Sequence, residues 1–256
     1  MSVVFADLPR DVILVQGDDA GTFLHSQLAQ DIASLPVGAS AHSLLLEPTG
    51  HVHSLVRVVR HVDTVYTLDV EGGHGGDVIA RLSRFVLRAR VAMRASDWVV
   101  RGFRGQGCHS LLDDAPGRAT VAWGDADAID VVCEPGSVRV VGEPTEAEHL
   151  DMLRVDMRWP RLGVDLLVGD IPATSGVLAV AASFIKGCYP GQELVERMDS
   201  RATEPPVAIR AFPRDGLHVG ARIAGASGDA GTVTSVGFTT ALARIARGSD
   251  VGEPLR

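Results

Sequence analysis

Apolar positions along the chain switch between strand-like runs and helical spacing, and the switches mark its elements. Val12–Val15 read as a short strand. Asp18 and Asp19 follow with side-chain oxygens suited to capping a helix. Phe23, Leu24, Leu28 and Ile32 then recur at helical spacing, which predicts a helix to about Leu35, closed by Pro36 and Gly38. Ser40–Leu46, His51–His61 and Thr64–Val70 read as successive strands, with Pro48-Thr49-Gly50 as the first turn. Four glycines between 72 and 76 break the chain before a second amphipathic helix, Asp77–Arg88, and a strand Ala89–Arg94.

From Trp98 to Val141 short apolar strands alternate with Gly, Asp and Pro. Thr145-Glu146-Ala147-Glu148 is a capping box, so a helix is expected to start there and run to about Arg158, stopped by Pro160. From Pro205 on, short strands with Gly-rich turns suit a small antiparallel barrel. Hairpins mixed with isolated helices indicate an α+β chain rather than a doubly wound sheet. Three segments are expected: an α+β lobe over 1–95, a second over 96–204, and a barrel over 205–256.

Composition narrows the function. A net charge of −8 argues against nucleic acid as a direct partner. Arg81, Arg84, Arg88, Arg90, Arg94, Arg101 and Arg104 form a local basic run, read first as a solvated helix face and the strands after it. Cys108, Cys133 and Cys188 are an odd number without zinc spacing, which suits a reduced, cytoplasmic protein. No leader-like apolar stretch opens the sequence, and no apolar run is long enough for a membrane span. His51 and His53 share a strand face, but two imidazoles alone make a poor metal site, so no metal is expected.

The chain holds 23 arginines and one lysine, Lys186. It lies in Ser183-Phe184-Ile185-Lys186-Gly187-Cys188-Tyr189-Pro190-Gly191-Gln192-Glu193-Leu194, beside a cysteine and one of only two tyrosines. An ammonium is a point charge that a planar guanidinium does not imitate. A nearby cation and a helix N-terminus both raise the thiolate fraction of a cysteine. On its own Cys188 would read as a buried structural thiol. With Lys186 before it and a helix opening at Gly191, it reads as functional, and Lys186 and Cys188 are the candidate catalytic pair. Gly187 and Gly191 allow close backbone approach and positive φ. Glu193 reads equally as a first-turn helix charge and as a site residue. Tyr189 either stacks on a ring or fills core.

Lys186-Gly187-Cys188-Tyr189-x-Gly191-Gln192-Glu193 resembles the signature of the YgfZ family, folate-binding proteins related to the aminomethyltransferase (T-protein) of the glycine cleavage system. Further stretches carry the same resemblance: Gly17–Asp31, Arg84–Arg88, Trp159–Asp165 with Ile171-Pro172, and Gly231–Ser235. The resemblance implies a three-lobed, ring-like architecture and a monomer. It implies tetrahydrofolate or a related folate as ligand, with Tyr189, Gly191, Gln192, Glu193 and Thr174 as its contacts. It also implies iron–sulfur proteins as partners, in assembling, maintaining or repairing iron–sulfur enzymes, one of them a tRNA-modifying enzyme. The role is that of an accessory protein rather than a classical enzyme.

Two departures bear on this. Folate enzymes of the superfamily carry a Glu two residues past the Ile-Pro position, where this chain has Thr174; a hydroxyl makes no charge-assisted bidentate pair. The T-protein's Asp pair is replaced at His53-Ser54, which removes the acid expected for aminomethyl transfer. The alternatives are a tetrahydrofolate-dependent one-carbon transferase or demethylase, and a protein-binding module that has lost folate.

Overall fold

The computed structural model describes residues 2–124, 127–200, 204–226 and 228–255. In chain order its elements are β1 (Val4–Leu8), β2 (Arg10–Gln16), α1 (Ala20–Gln27), β3 (Ser40–Leu46), β4 (Val52–Val62), β5 (Val65–Glu71), α2 (Gly75–Ser83), β6 (Ala92–Ser96), β7 (Val99–Arg104), α3 (Cys108–Leu111), β8 (Arg118–Thr120), β9 (Ala128–Cys133) and β10 (Glu143–Pro144). They continue with α4 (Ala147–Asp156), α5 (Leu178–Ala181), α6 (Gln192–Ser200), β11 (Val207–Pro213), β12 (Arg222–Gly225), β13 (Gly228–Val236) and β14 (Thr240–Ala246). Contacts gather the chain into two units, one of residues 1–45, 54–150 and 180–190, the other of 46–53, 151–179 and 191–256.

The first unit stacks two five-stranded sheets. One has the order β3-β4-β5-β2-β6, the other β10-β1-β7-β9-β8. Strand β2 explains the layering: its run Val12-Ile13-Leu14-Val15 is buried throughout because both faces are covered. Ile13 and Val15 join Phe23, Leu24 and Leu28 of the α1 region and Val78 and Leu82 of α2 in one core. Val12 points the other way, with Val59, to meet Val100, Ala119 and Val132 of the second sheet. The far face of that second sheet carries Phe103, Ile129 and Val131 and is covered by Cys108 and Leu112 around α3.

Charged residues also lie between the sheets. Arg57 on β4 donates from Nε to Asp69 on β5 at 2.9 Å, and from Nη1 to Asp130 on β9 at 2.7 Å. Arg104 on β7 donates to the other Asp130 oxygen at 2.8 Å, and Arg10 on β2 donates to Asp69 as well. All but Arg10 are buried. Burial alone would raise the pKa of Asp130, but Arg104 and Arg57 outweigh it and hold the carboxyl down to about 2. Asp69 is lowered in the same way, with Arg10 and Arg57 outweighing burial.

The second unit is built on an antiparallel sheet of order β11-β14-β13-β12. Its polar centre is Asp165, which is fully buried. Arg154 of α4 donates to it at 3.0 Å, the Arg161 amide at 2.9 Å and Ser235 of β13 at 2.7 Å, and Thr234 also donates to it. Asp165 thus ties the Trp159–Asp165 loop and α4 to the sheet. Helices and sheets are mixed as the pattern predicts.

Three boundaries differ from the sequence pattern. Helix α1 ends at Gln27, not near Leu35. Leu28 turns extended and bridges Leu45, and the Ala29 amide donates to the Leu44 carbonyl, so this stretch pairs with β3 while Ile32 and Leu35 still reach the core. Helix α2 stops at Ser83, and the next strand runs on to Ser96 because it pairs with β2 as far as Val12. Strand β1, which the pattern does not show, pairs antiparallel with β7 over Val4–Leu8.

Candidate functional site

The early end of α1 creates the site's anchor. The last carbonyls of a helix lack intrahelical N–H partners, and here the chain beyond Gln27 is extended. The Lys186 ammonium fills that gap. It donates to the carbonyls of His25, Leu28 (2.6 Å) and Gln30 (3.2 Å), where a cation is also favoured by the helix dipole. Its Nζ lies 5.0 Å from the centre of the buried Tyr189 ring, a cation–π contact. Burial pulls the Lys186 pKa down to about 8, while Asp31 opposes the shift. His25, whose Nδ1 lies 3.1 Å from Asp31 and accepts from the Ala33 amide at 3.2 Å, also has its pKa lowered, first by burial and then by Lys186.

The rest of the segment is tied to the same place. Gln30 Nε2 donates to the Val180 carbonyl at 2.9 Å, and the Ser183 amide donates to the Ala29 carbonyl at 2.9 Å. Between these ties Phe184 and Ile185 turn outward, Ile185 being 97% exposed. Cys188 is exposed, whereas Cys108 and Cys133 are buried.

Gly191, Gln192, Glu193 and Thr174 fall in the second unit. Gly191 is required there: its φ is +85°, and a Cβ would sit 2.7 Å from the Glu47 carbonyl and 2.9 Å from the Gly50 Cα. Gly187, by contrast, has open space around it, so the close approach expected at that position does not occur. Gln192 and Glu193 open α6 and pair one turn on with Glu196 and Arg197. Thr174 lies in a 3-10 turn, Pro172–Ser175, and is 2% exposed.

The basic run is dispersed. Arg81 is buried with Phe85 beneath its guanidinium at 4.5 Å, Arg90 pairs with Asp18 and Asp19, Arg101 with Asp7, and Arg104 with Asp130. His51 contacts Thr49 and His53 contacts Glu47. Among the described residues no group of three or more His, Cys, Asp or Glu is placed to hold a metal ion.

No protein-family model matches the chain. Three curated bacterial proteins are each 24% identical to it: an uncharacterized protein of Haemophilus influenzae over 196 residues, and the tRNA-modifying protein YgfZ of Photobacterium profundum over 210 and of Vibrio atlanticus over 208. The matches cover 74% of this chain but only 66%, 64% and 63% of those proteins, under two thirds of their length. Among solved structures, aminomethyltransferase T of the glycine cleavage system from Bartonella henselae superposes with a TM-score of 0.76. That match covers 96% of this chain and 78% of the enzyme at 18% identity. The chain is similar to YgfZ and has the fold of aminomethyltransferase T. At 18% identity this likeness shows the fold and not the reaction. The YgfZ resemblance read from the Lys186–Glu193 motif therefore agrees with a sequence comparison over 74% of the chain and with the fold comparison.

Proposed function

We propose that the chain is a folate-binding, YgfZ-like accessory protein that helps assemble, maintain or repair iron–sulfur enzymes, including one that modifies tRNA, with Cys188 as its reactive group. The observation that carries this reading is the fastened segment 180–190, which leaves one thiol exposed while the other two are buried. Its place is the cytoplasm, as a monomer, with iron–sulfur proteins and a folate as partners. The finer architecture, three lobes in a ring with the C-terminal sheet curled into a small barrel, belongs to this reading as well.

The ligand is tetrahydrofolate or a related folate, with Tyr189, Gly191, Gln192, Glu193 and Thr174 as its proposed contacts. Buried polar atoms without partners suit such a ligand: Gln27 Oε1 and Ser54 Oγ in the first unit, on residues 8% and 1% exposed. Each can accept an N–H, as an aminopyrimidine edge requires. Bound folate would supply a one-carbon carrier. A buried hydroxyl at Ser54 speaks against the alternative of a one-carbon transferase, because a hydroxyl does not replace an acid there. Fluorescence titration with tetrahydrofolate tests the ligand: saturable binding is expected, and its absence at millimolar folate would leave only a protein-binding role.

A further inference from the structure

A chain that uses arginine almost everywhere keeps one lysine, and the structure supplies a reason. Three carbonyl oxygens, of His25, Leu28 and Gln30, converge on the single atom Nζ. A tetrahedral ammonium can point one N–H at each. A guanidinium spreads its donors over a planar fork and has no such arrangement to offer. We infer that Lys186 is a positioning residue, which fastens the Cys188-bearing segment to the end of α1 and does not act on the thiol. An ammonium whose N–H groups all face carbonyls has none left to hydrogen-bond a neighbouring thiolate, so any effect on the thiol would have to run through charge alone.

The other ties point the same way. Val180 is held by the Gln30 side chain, Ser183 by the Ala29 carbonyl and Lys186 by three carbonyls, so the segment is fastened at every third residue along 25–30. Tyr189 lies against the ammonium and closes the far end. Only one residue, Gly187, separates Lys186 from Cys188, so the clamp also sets where the thiol stands.

The inference rests on reading Cys188 as the reactive group, and the test separates the two. On the full chain, amide exchange over 180–190 and the pH profile of Cys188 alkylation are measured for the unmodified protein, Lys186→Met and Lys186→Arg. Loss of several hydrogen bonds to a charged group speeds exchange by about tenfold or more. The expected result is that acceleration in both variants, with the midpoint of the alkylation profile unchanged. Unchanged exchange in Lys186→Met would overturn the clamp. A midpoint that moves up in Lys186→Met and is restored in Lys186→Arg would show that the thiol uses the charge, and would overturn it as well. Should Lys186→Met not fold, Gln30→Met, which removes the tie to Val180 and the local bond from the Asp31 amide but leaves Lys186 in place, is expected to loosen the same amides by a smaller factor, and no loosening would overturn the clamp. An inert Cys188 with accelerated exchange would leave the clamp standing and remove the proposed reactive group.

Discussion

At the scale of single residues, the motif separates into parts with different work. Lys186 and Gly191 are explained by local geometry: one caps a helix end, the other admits a close backbone crossing at positive φ. Cys188 has no such structural duty, and that makes it the candidate for chemistry. Thr174 is the sharpest departure from the folate enzymes the chain resembles. Replacing it by Glu is expected to tighten tetrahydrofolate binding by about one to two decades, since a charge-assisted hydrogen bond contributes about 1.5–3 kcal/mol. A buried Glu without ligand also carries a desolvation cost, so Thr174→Glu should unfold at lower urea in the absence of folate. Titration of both proteins at one pH and salt checks this. Equal affinities would mean that recognition does not run through position 174.

At the scale of elements, the stability of the first unit depends on the ion network between its sheets. Asp130 joins β9 to Arg57 of β4 and Arg104 of β7. Asp130→Asn leaves two buried guanidinium groups short of their counter-charge and is expected to cost about 3–5 kcal/mol. Urea unfolding measures it, and a loss below about 1 kcal/mol would show that water compensates. Acid should act on the same layer through His42. Burial first, and then Arg57, pull its pKa from 6.5 to about 3. The sign follows from proton uptake by the unfolded chain. Above pH 6.5 both states are neutral at this residue; below it the unfolded state gains a proton that the folded state refuses, so stability falls towards pH 3. Asp130, lowered to about 2, adds its own loss only below about pH 4. The urea midpoint should therefore drop between pH 6.5 and 4 and be flatter there in His42→Gln; a parallel curve in that variant would assign the drop elsewhere.

Legibility also differed by element. Strands β3, β4 and β5 were readable because their apolar runs are bounded by clear turns. Helix α1 is shorter than its apolar spacing predicts because Leu28 and Ile32 keep helical spacing while their backbone pairs with β3 or turns away, and spacing does not report hydrogen bonding. The inter-sheet network has a signal in the sequence: Arg57, Asp69 and Asp130 each interrupt a run of β-branched and aliphatic residues. A charge inside such a run has to find a partner when both faces are covered.

At the scale of the whole molecule, the chain is similar in sequence to YgfZ and shares the fold of aminomethyltransferase T. The fold of aminomethyltransferase T extends over nearly all of this chain. The relation to YgfZ was legible in Lys186–Glu193, because the motif combines residue types rare in this chain. The division into two units was not, because three separate stretches of sequence build each unit and no linker composition marks the crossings. The most direct test of the account is complementation. Cells lacking the native gene are given the unmodified chain or Cys188→Ser at matched protein levels, and the activity of a dependent iron–sulfur enzyme is measured. The account predicts that the unmodified chain restores activity and that Cys188→Ser, though folded, does not; full restoration by Cys188→Ser would contradict it.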